Sequence, residues 1–122
     1  MASALDGIRI VEVTQDIAGP YTGMLLAEQG AEVIKIEPPP GDRARGTPGF
    51  HVWNRSKRSV IADPTIEEGR EFIHRLASTA DVLLIDAQLG DEATLGSSSA
   101  TVPQVPRFLG CSPSGVIQCR QM

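Results

Sequence analysis

The run Leu5 to Glu37, LDGIRIVEVTQDIAGPYTGMLLAEQGAEVIKIE, constrains this chain most, because it reads as one complete strand, loop, helix and strand. Ile8 to Val13 is short, rich in β-branched residues and preceded by Asp6-Gly7, which suits a buried strand better than a helix. Its alternation is incomplete, with Arg9 and Glu12 as the polar positions, the pattern of a parallel strand covered on both faces. Thr14 to Pro20 reads as the crossing loop, and Pro20 can open a helix without forfeiting a hydrogen bond. Met24-Leu25-Leu26-Ala27 is apolar almost all round, which predicts a helix over Tyr21 to Gln29 buried in the layer that covers the sheet. Gly30 closes that helix in the left-handed conformation. Ala31 to Glu37 forms a second strand, and so short a crossover implies right-handed parallel pairing.

Downstream the elements are spaced more widely. Pro38-Pro39-Pro40-Gly41-Asp42 can be neither helix nor central strand, since successive prolines lack amide donors and stiffen the backbone, so it is a rigid loop. A short strand is expected around Ser59 to Ala62. Gly69, Phe72, Ile73 and Leu76 fall at i, i+3, i+4 and i+7 and predict an amphipathic helix, opened by a Thr65/Glu68 capping box or by an Asp63 cap with Pro64 in the first turn. Ala80 to Ile85 is a third buried strand, and Arg107 to Cys111 a further one. Gly96 to Pro106 has linker composition, so residues 86–106 read as a diverged loop within a single domain, 1–122. The fold class is α/β: an open, mainly parallel Rossmann-like sheet with covering helices.

At 122 residues with a formal charge of −4, the chain is one small domain whose acidity argues against nucleic-acid or anionic-membrane partners. No apolar run approaches the roughly 20 residues that span a bilayer, so a soluble protein is expected. Cys111 and Cys119 lack the paired spacing of a metal site and, without a signal-peptide pattern, read most simply as reduced cytoplasmic thiols, with a bridge between them as the lesser alternative. No metal is expected.

Two stretches carry candidate chemistry. Ligands of open α/β sheets sit outside the carboxyl ends of the strands, so Thr14 to Pro20, with small Ala18 and Gly19, is either a ligand loop beside helix amides or merely a tight turn. A dinucleotide domain is the obvious rival, but G-x-G-x-x-G is absent there, with only Gly19 and Gly23 available. The second stretch is basic: Arg43, Arg45, Arg55, Lys57 and Arg58 crowd one window, reading either as a phosphate site or as a solvated face. His51, read as a loop residue, and His74 stand isolated. No serine has the G-x-S-x-G setting of a hydrolase elbow, and no nucleophile is assigned.

Taken in order, Leu5-Asp6-Gly7-Ile8, Ala18-Gly19-Pro20, Leu26-Ala27, Gly30-Ala31, Val33 to Glu37, Gly41-Asp42, Arg45-Gly46, Asn54 to Ser59 with Asp63, and Ala80-Asp81-Val82-Leu83 resemble the opening of a family III CoA-transferase, the group that includes carnitine-CoA transferases and an acyl-CoA racemase. The resemblance is continuous from about Leu5 to Leu84 and patchy afterward. It implies CoA or acyl-CoA as substrate rather than a permanently bound cofactor. It also implies a catalytic Asp that forms first a mixed anhydride and then an enzyme thioester. By position, Ala18, Lys57 and Arg58 are the expected CoA contacts, with Arg43 and Arg45 behind them. The family departs at Pro38, where Arg is frequent, at Ile85-Asp86-Ala87, where Glu-Asn-Phe is expected, and at Gln88. The catalytic Asp of the family lies beyond Met122, which implies an amino-terminal portion that is inactive alone, incomplete against the full family fold, and a partner to a carboxy-terminal half or a second copy. The alternatives are a non-catalytic CoA or nucleotide module, acting as a partner subunit or left as a degenerate fragment, and a bare α/β scaffold.

Overall fold

The computed structural model describes residues 2–86, 108–111 and 117–120. The chain runs β1 (Arg9–Val13), α1 (Ala18–Glu28), β2 (Glu32–Glu37), a 3-10 helix (Arg43–Gly46), α2 (Pro48–Trp53), β3 (Arg58–Ile61), α3 (Glu67–Ala77), β4 (Val82–Asp86), β5 (Phe108–Cys111) and β6 (Ile117–Arg120). The strands make one sheet of order β3-β2-β1-β4-β5-β6, parallel throughout except for β6, which runs antiparallel to β5. This is the expected open, mainly parallel α/β sheet. Because the order reverses between β1 and β4, their carboxyl ends border the crevice where such sheets receive ligands.

Strand alternation separates two layers. Val11 and Val13 share a face with Ile36, Leu83 and Ile85, and α3 lays Ile73 and Ala77 against them. That helix approaches closely because Gly69 has no Cβ, which would strike the backbone carbonyl of Asp63. On the opposite face Ile10, Val33 and Leu84 pack under α1 with Leu26 and Ala27. Two positions further along, this second face changes character: Glu12 stands opposite Lys35 in the parallel register, and both are buried.

Some local expectations need correction. Helix α1 starts at Ala18 and takes Pro20 into its first turn, where a missing amide costs nothing. It is not buried all round, for Gly19, Pro20, Gly23 and Met24 face the sheet while Tyr21 and Leu25 remain 43% and 44% exposed. Small residues on the inner side let the helix sit low, with Met24 packed inward and Tyr21 and Leu25 turned outward. Its end follows expectation: Gly30 has φ +100, its amide bonds to the Ala27 carbonyl at 3.0 Å, and the Ala31 amide bonds to the Leu26 carbonyl at 3.2 Å. Those are the two bonds of a Schellman closure.

Neither capping scheme opens α3. Its N-cap is Ile66 with no side-chain cap, because the Asp63 carboxylate is taken by the amide and hydroxyl of Thr65 at 2.9 and 2.6 Å. Helix α2, the 3-10 helix and β6 were not anticipated, and His51, expected in a loop, lies in α2. Of the expected linker 86–106, Asp86 ends β4 and the rest lies outside the described residues.

Candidate functional site

At the carboxyl end of β1 the chain turns through buried Thr14 and Gln15 to exposed Asp16, Ile17 and Ala18. Asp16 has φ +60, a left-handed conformation that Asp tolerates better than most residues. Its carboxylate accepts from Arg43 Nη2, which lies 3.2 Å from each oxygen. Arg43 is delivered there by the 3-10 helix, whose first turn is fixed by Asp42 Oδ1 accepting from the Ala44 amide at 2.8 Å. Ala18 begins α1, and no side chain caps that helix end. The rim thus combines a small residue at a helix start with an exposed guanidinium held on an equally exposed carboxylate.

Next along the rim, Arg45 grips Glu37 through two parallel bonds, Nε to Oε2 at 2.6 Å and Nη2 to Oε1 at 2.8 Å. These bonds hold the guanidinium still more firmly protonated. Glu37 is fully buried at the end of β2, and the Asp42 amide donates to it at 2.9 Å. Phe50 from α2 covers this region, with Arg45 Cζ 4.8 Å and Lys35 Nζ 5.9 Å from its ring centroid, within cation–π range.

Beneath the rim lies a buried ionic cluster. Lys35 Nζ is 2.7 Å from Asp42 Oδ2 and 3.6 Å from Glu12 Oε1. Lys57 Nζ is 2.8 Å from Glu12 Oε2, and Thr14 Oγ1 donates to Glu12 Oε1 at 2.7 Å. Side chains of Glu12, Lys35, Asp42 and Lys57 are 0 to 2% exposed. With Glu37 and Arg45 added, three carboxylates face three cations, and the group is neutral. Burying charges is costly unless each is paired, which this arrangement achieves by closeness more than by alignment: Glu12 Oε2, Lys35 Nζ and Asp42 Oδ2 have ion-pair neighbours but no well-angled hydrogen bond.

The five expected contact residues therefore separate. Arg43 is held on Asp16, two residues before Ala18 at the start of α1, and Arg45 is held on Glu37 at the end of β2. Lys57 is inside: its ammonium donates to Glu12 Oε1 at 3.0 Å, the Pro20 carbonyl at 2.7 Å and Asn54 Oδ1 at 3.2 Å, using its three N–H groups. Burial pulls its pKa below the usual lysine value, with the Glu12 charge opposing. Arg58 is exposed and pairs at 3.1 Å with Glu32, the first residue of β2, toward the amino-terminal edge of the sheet. Arg55 likewise turns away, to Glu28 at the last turn of α1. Sequence reasoning missed Glu12, Lys35, Glu37 and Asp42. The available signal was Glu12 inside a strand read as covered on both faces, since a charge there demands a partner.

Among the described residues no group of His, Cys, Asp and Glu converges as a metal site, and no helix is long and apolar enough to cross a membrane. Comparison with known proteins agrees with the sequence resemblance. The profile of CoA-transferase family III matches residues 5–115. The probable fatty acyl-CoA transferase Rv3272 of Mycobacterium tuberculosis is 42% identical over 106 residues, covering 78% of this chain and 27% of that protein. The succinate–glutarate CoA-transferase of Agrobacterium fabrum is 35% identical over 128 residues, covering 91% and 32%. Among solved structures, a CAIB/BAIF family protein from Brucella suis superposes with a TM-score of 0.79 at 36% identity, over 92% of this chain and 33% of that one. The chain thus spans about a third or less of the length of these relatives. Sheet order, motif order and these matches agree that the chain belongs to CoA-transferase family III.

Proposed function

We propose that this chain forms the CoA-binding portion of an acyl-CoA transferase that moves CoA between carboxylic acids. The observation that carries the reading is the rim at the end of β1, where Ala18 at the start of α1 and the exposed Arg43 flank the carboxyl edge of the sheet. Arg43 is 69% exposed and, among the described residues, is tied to an exposed Asp16, so a phosphate can take its place on the guanidinium without uncovering a buried charge. Small Ala18 admits the thioester-bearing arm close to the backbone. Lys57, whose donors are all engaged, contributes from beneath rather than by contact.

The chemistry is that of a carboxylate supplied by residues outside this chain. An aspartate oxygen adds to the acyl-CoA carbonyl and CoA thiolate leaves, giving a mixed anhydride. The thiolate then adds to the aspartyl carbonyl and expels the acyl carboxylate, leaving an enzyme thioester. The acceptor acid reverses both steps and takes the CoA.

Calorimetric titration of the 122-residue chain with CoA tests the binding half. Arg43→Ala is expected to weaken binding about tenfold, the scale of one charge-assisted hydrogen bond, and unchanged affinity rejects the rim assignment. No acyl exchange is expected from this chain alone, and robust turnover would place a nucleophile within it.

A further inference from the structure

Lys57 sits in a motif window that the binding reading alone leaves unexplained. Its three acceptors come from three separate parts of the chain: Glu12 in β1, the Pro20 carbonyl in the first turn of α1, and Asn54 just after α2. Asn54 is itself anchored, its Nδ2 donating to the Phe50 carbonyl at 2.9 Å. The space is closed from above by Gly23, where an added Cβ would collide with the Glu12 carboxylate and come within 3.0 Å of Lys57 Nζ.

From Glu12 the connection continues toward the rim. Thr14 Oγ1 donates to Glu12 at 2.7 Å, and the Thr14 side chain fills the place that a Cβ on Gly19 would take. Gly19 follows Ala18. Lys57, Glu12, Thr14 and Gly19 therefore form one packed series ending at the exposed start of α1. Stability alone does not account for it, because a buried ion pair replaced by apolar groups of similar volume often leaves a protein as stable or more so. An apolar pair could fill the volume but could not join three elements through directed bonds to one atom.

We infer that Lys57 is a positioning residue that, through Glu12 and the Pro20 carbonyl, fixes the first turn of α1 and so sets Ala18 at the rim without touching the ligand. The inference rests on the CoA-binding reading for its functional consequence, and its structural part stands separately. A direct phosphate contact and a positioning role predict different losses for CoA and for pantetheine, which lacks the adenosine nucleotide and all of its phosphates.

The test is the double variant Lys57→Met with Glu12→Gln, which removes both charges at nearly constant shape. Amide hydrogen exchange at Tyr21 to Met24 is expected to accelerate about tenfold or more, while amides of Ile73 to Ala77 in α3 keep their rates. Affinities for CoA and for pantetheine, which lacks phosphates, are expected to fall by the same factor, at least about fivefold, with the salt dependence of CoA binding unchanged. Unchanged exchange in α1, or a loss confined to CoA, overturns the inference. Should the double variant not fold, Asn54→Ala decides, with faster exchange at Tyr21 to Met24 expected and parental rates overturning it. Failure of the parent chain to bind either ligand would defeat the CoA reading, and the exchange measurement would still decide the positioning role.

Discussion

Gly23→Ala isolates the packing between α1 and the ionic cluster. On an exposed helix this change stabilises by about 1 kcal/mol, because alanine has the better helix propensity. Here the new methyl group would land on Glu12 Oε2 and 3.0 Å from Lys57 Nζ. The carboxylate has nowhere to go: it is fully buried, holds the Thr14 hydroxyl at 2.7 Å and faces Lys57 at 2.8 Å. Prising the pair apart costs about 3–5 kcal/mol, and after the propensity gain about 2–4 kcal/mol of destabilisation remains. With a urea dependence of roughly 2 kcal/mol per molar, the unfolding midpoint should fall by about 1–2 M. Gly46→Ala is the control, since a Cβ there meets nothing within 4 Å and its effect should stay within about 1 kcal/mol. In a Glu12→Ala background the obstacle is gone, and Gly23→Ala should become neutral or stabilising, giving a coupling of several kcal/mol in the double-mutant cycle. Stabilisation by Gly23→Ala in the parent would show that the carboxylate does not lie under the helix.

Ile73→Ala, at a residue 2% exposed between α3 and the sheet, should cost about 2–5 kcal/mol in urea unfolding, and a loss below about 1 kcal/mol would contradict the assigned core. The hydrogen bond from Arg9 holds the Glu32 carboxyl below its ordinary value of 4.5. Because the folded form is the stronger acid, this contribution is complete above the unfolded pKa and disappears as pH drops through the lower folded one. Glu32→Gln should therefore flatten the acid limb of the stability curve below about pH 4.5, and NMR titration showing an ordinary Glu32 carboxyl would remove the basis for this.

The frame of the fold was legible where sequence period and end signals coincide. Ile8 to Val13, Gly30 and the Gly69-to-Leu76 stripe each fell close to the observed elements, because burial of one face and closure by a positive φ leave direct marks in residue type. The 3-10 helix and α2, at four and six residues, are too short for a period to emerge and are held by the cluster they cover. The site was harder to read. A lysine in a basic window looks the same whether it meets solvent, phosphate or a buried carboxylate, and Lys57 and Glu12 are 45 residues apart in the chain. The placement of Arg58 was not legible for a related reason: the register of β3 against β2, which brings it to Glu32, is set by tertiary pairing and not by local sequence.

The position of β1 between β2 and β4 also bears on the order in which the protein can assemble. Arg9 donates its amide to the Asp81 carboxylate, a partner 72 residues away, and Ile10 aligns with Val82. β1 is thus an inner strand of the described sheet, and one flank stays bare until most of the described chain has been made. Such distant closure slows folding. A nascent chain arrested before β4 would leave the backbone edge of β1 that β4 pairs with unpaired, a strand edge open to chaperones or to another chain.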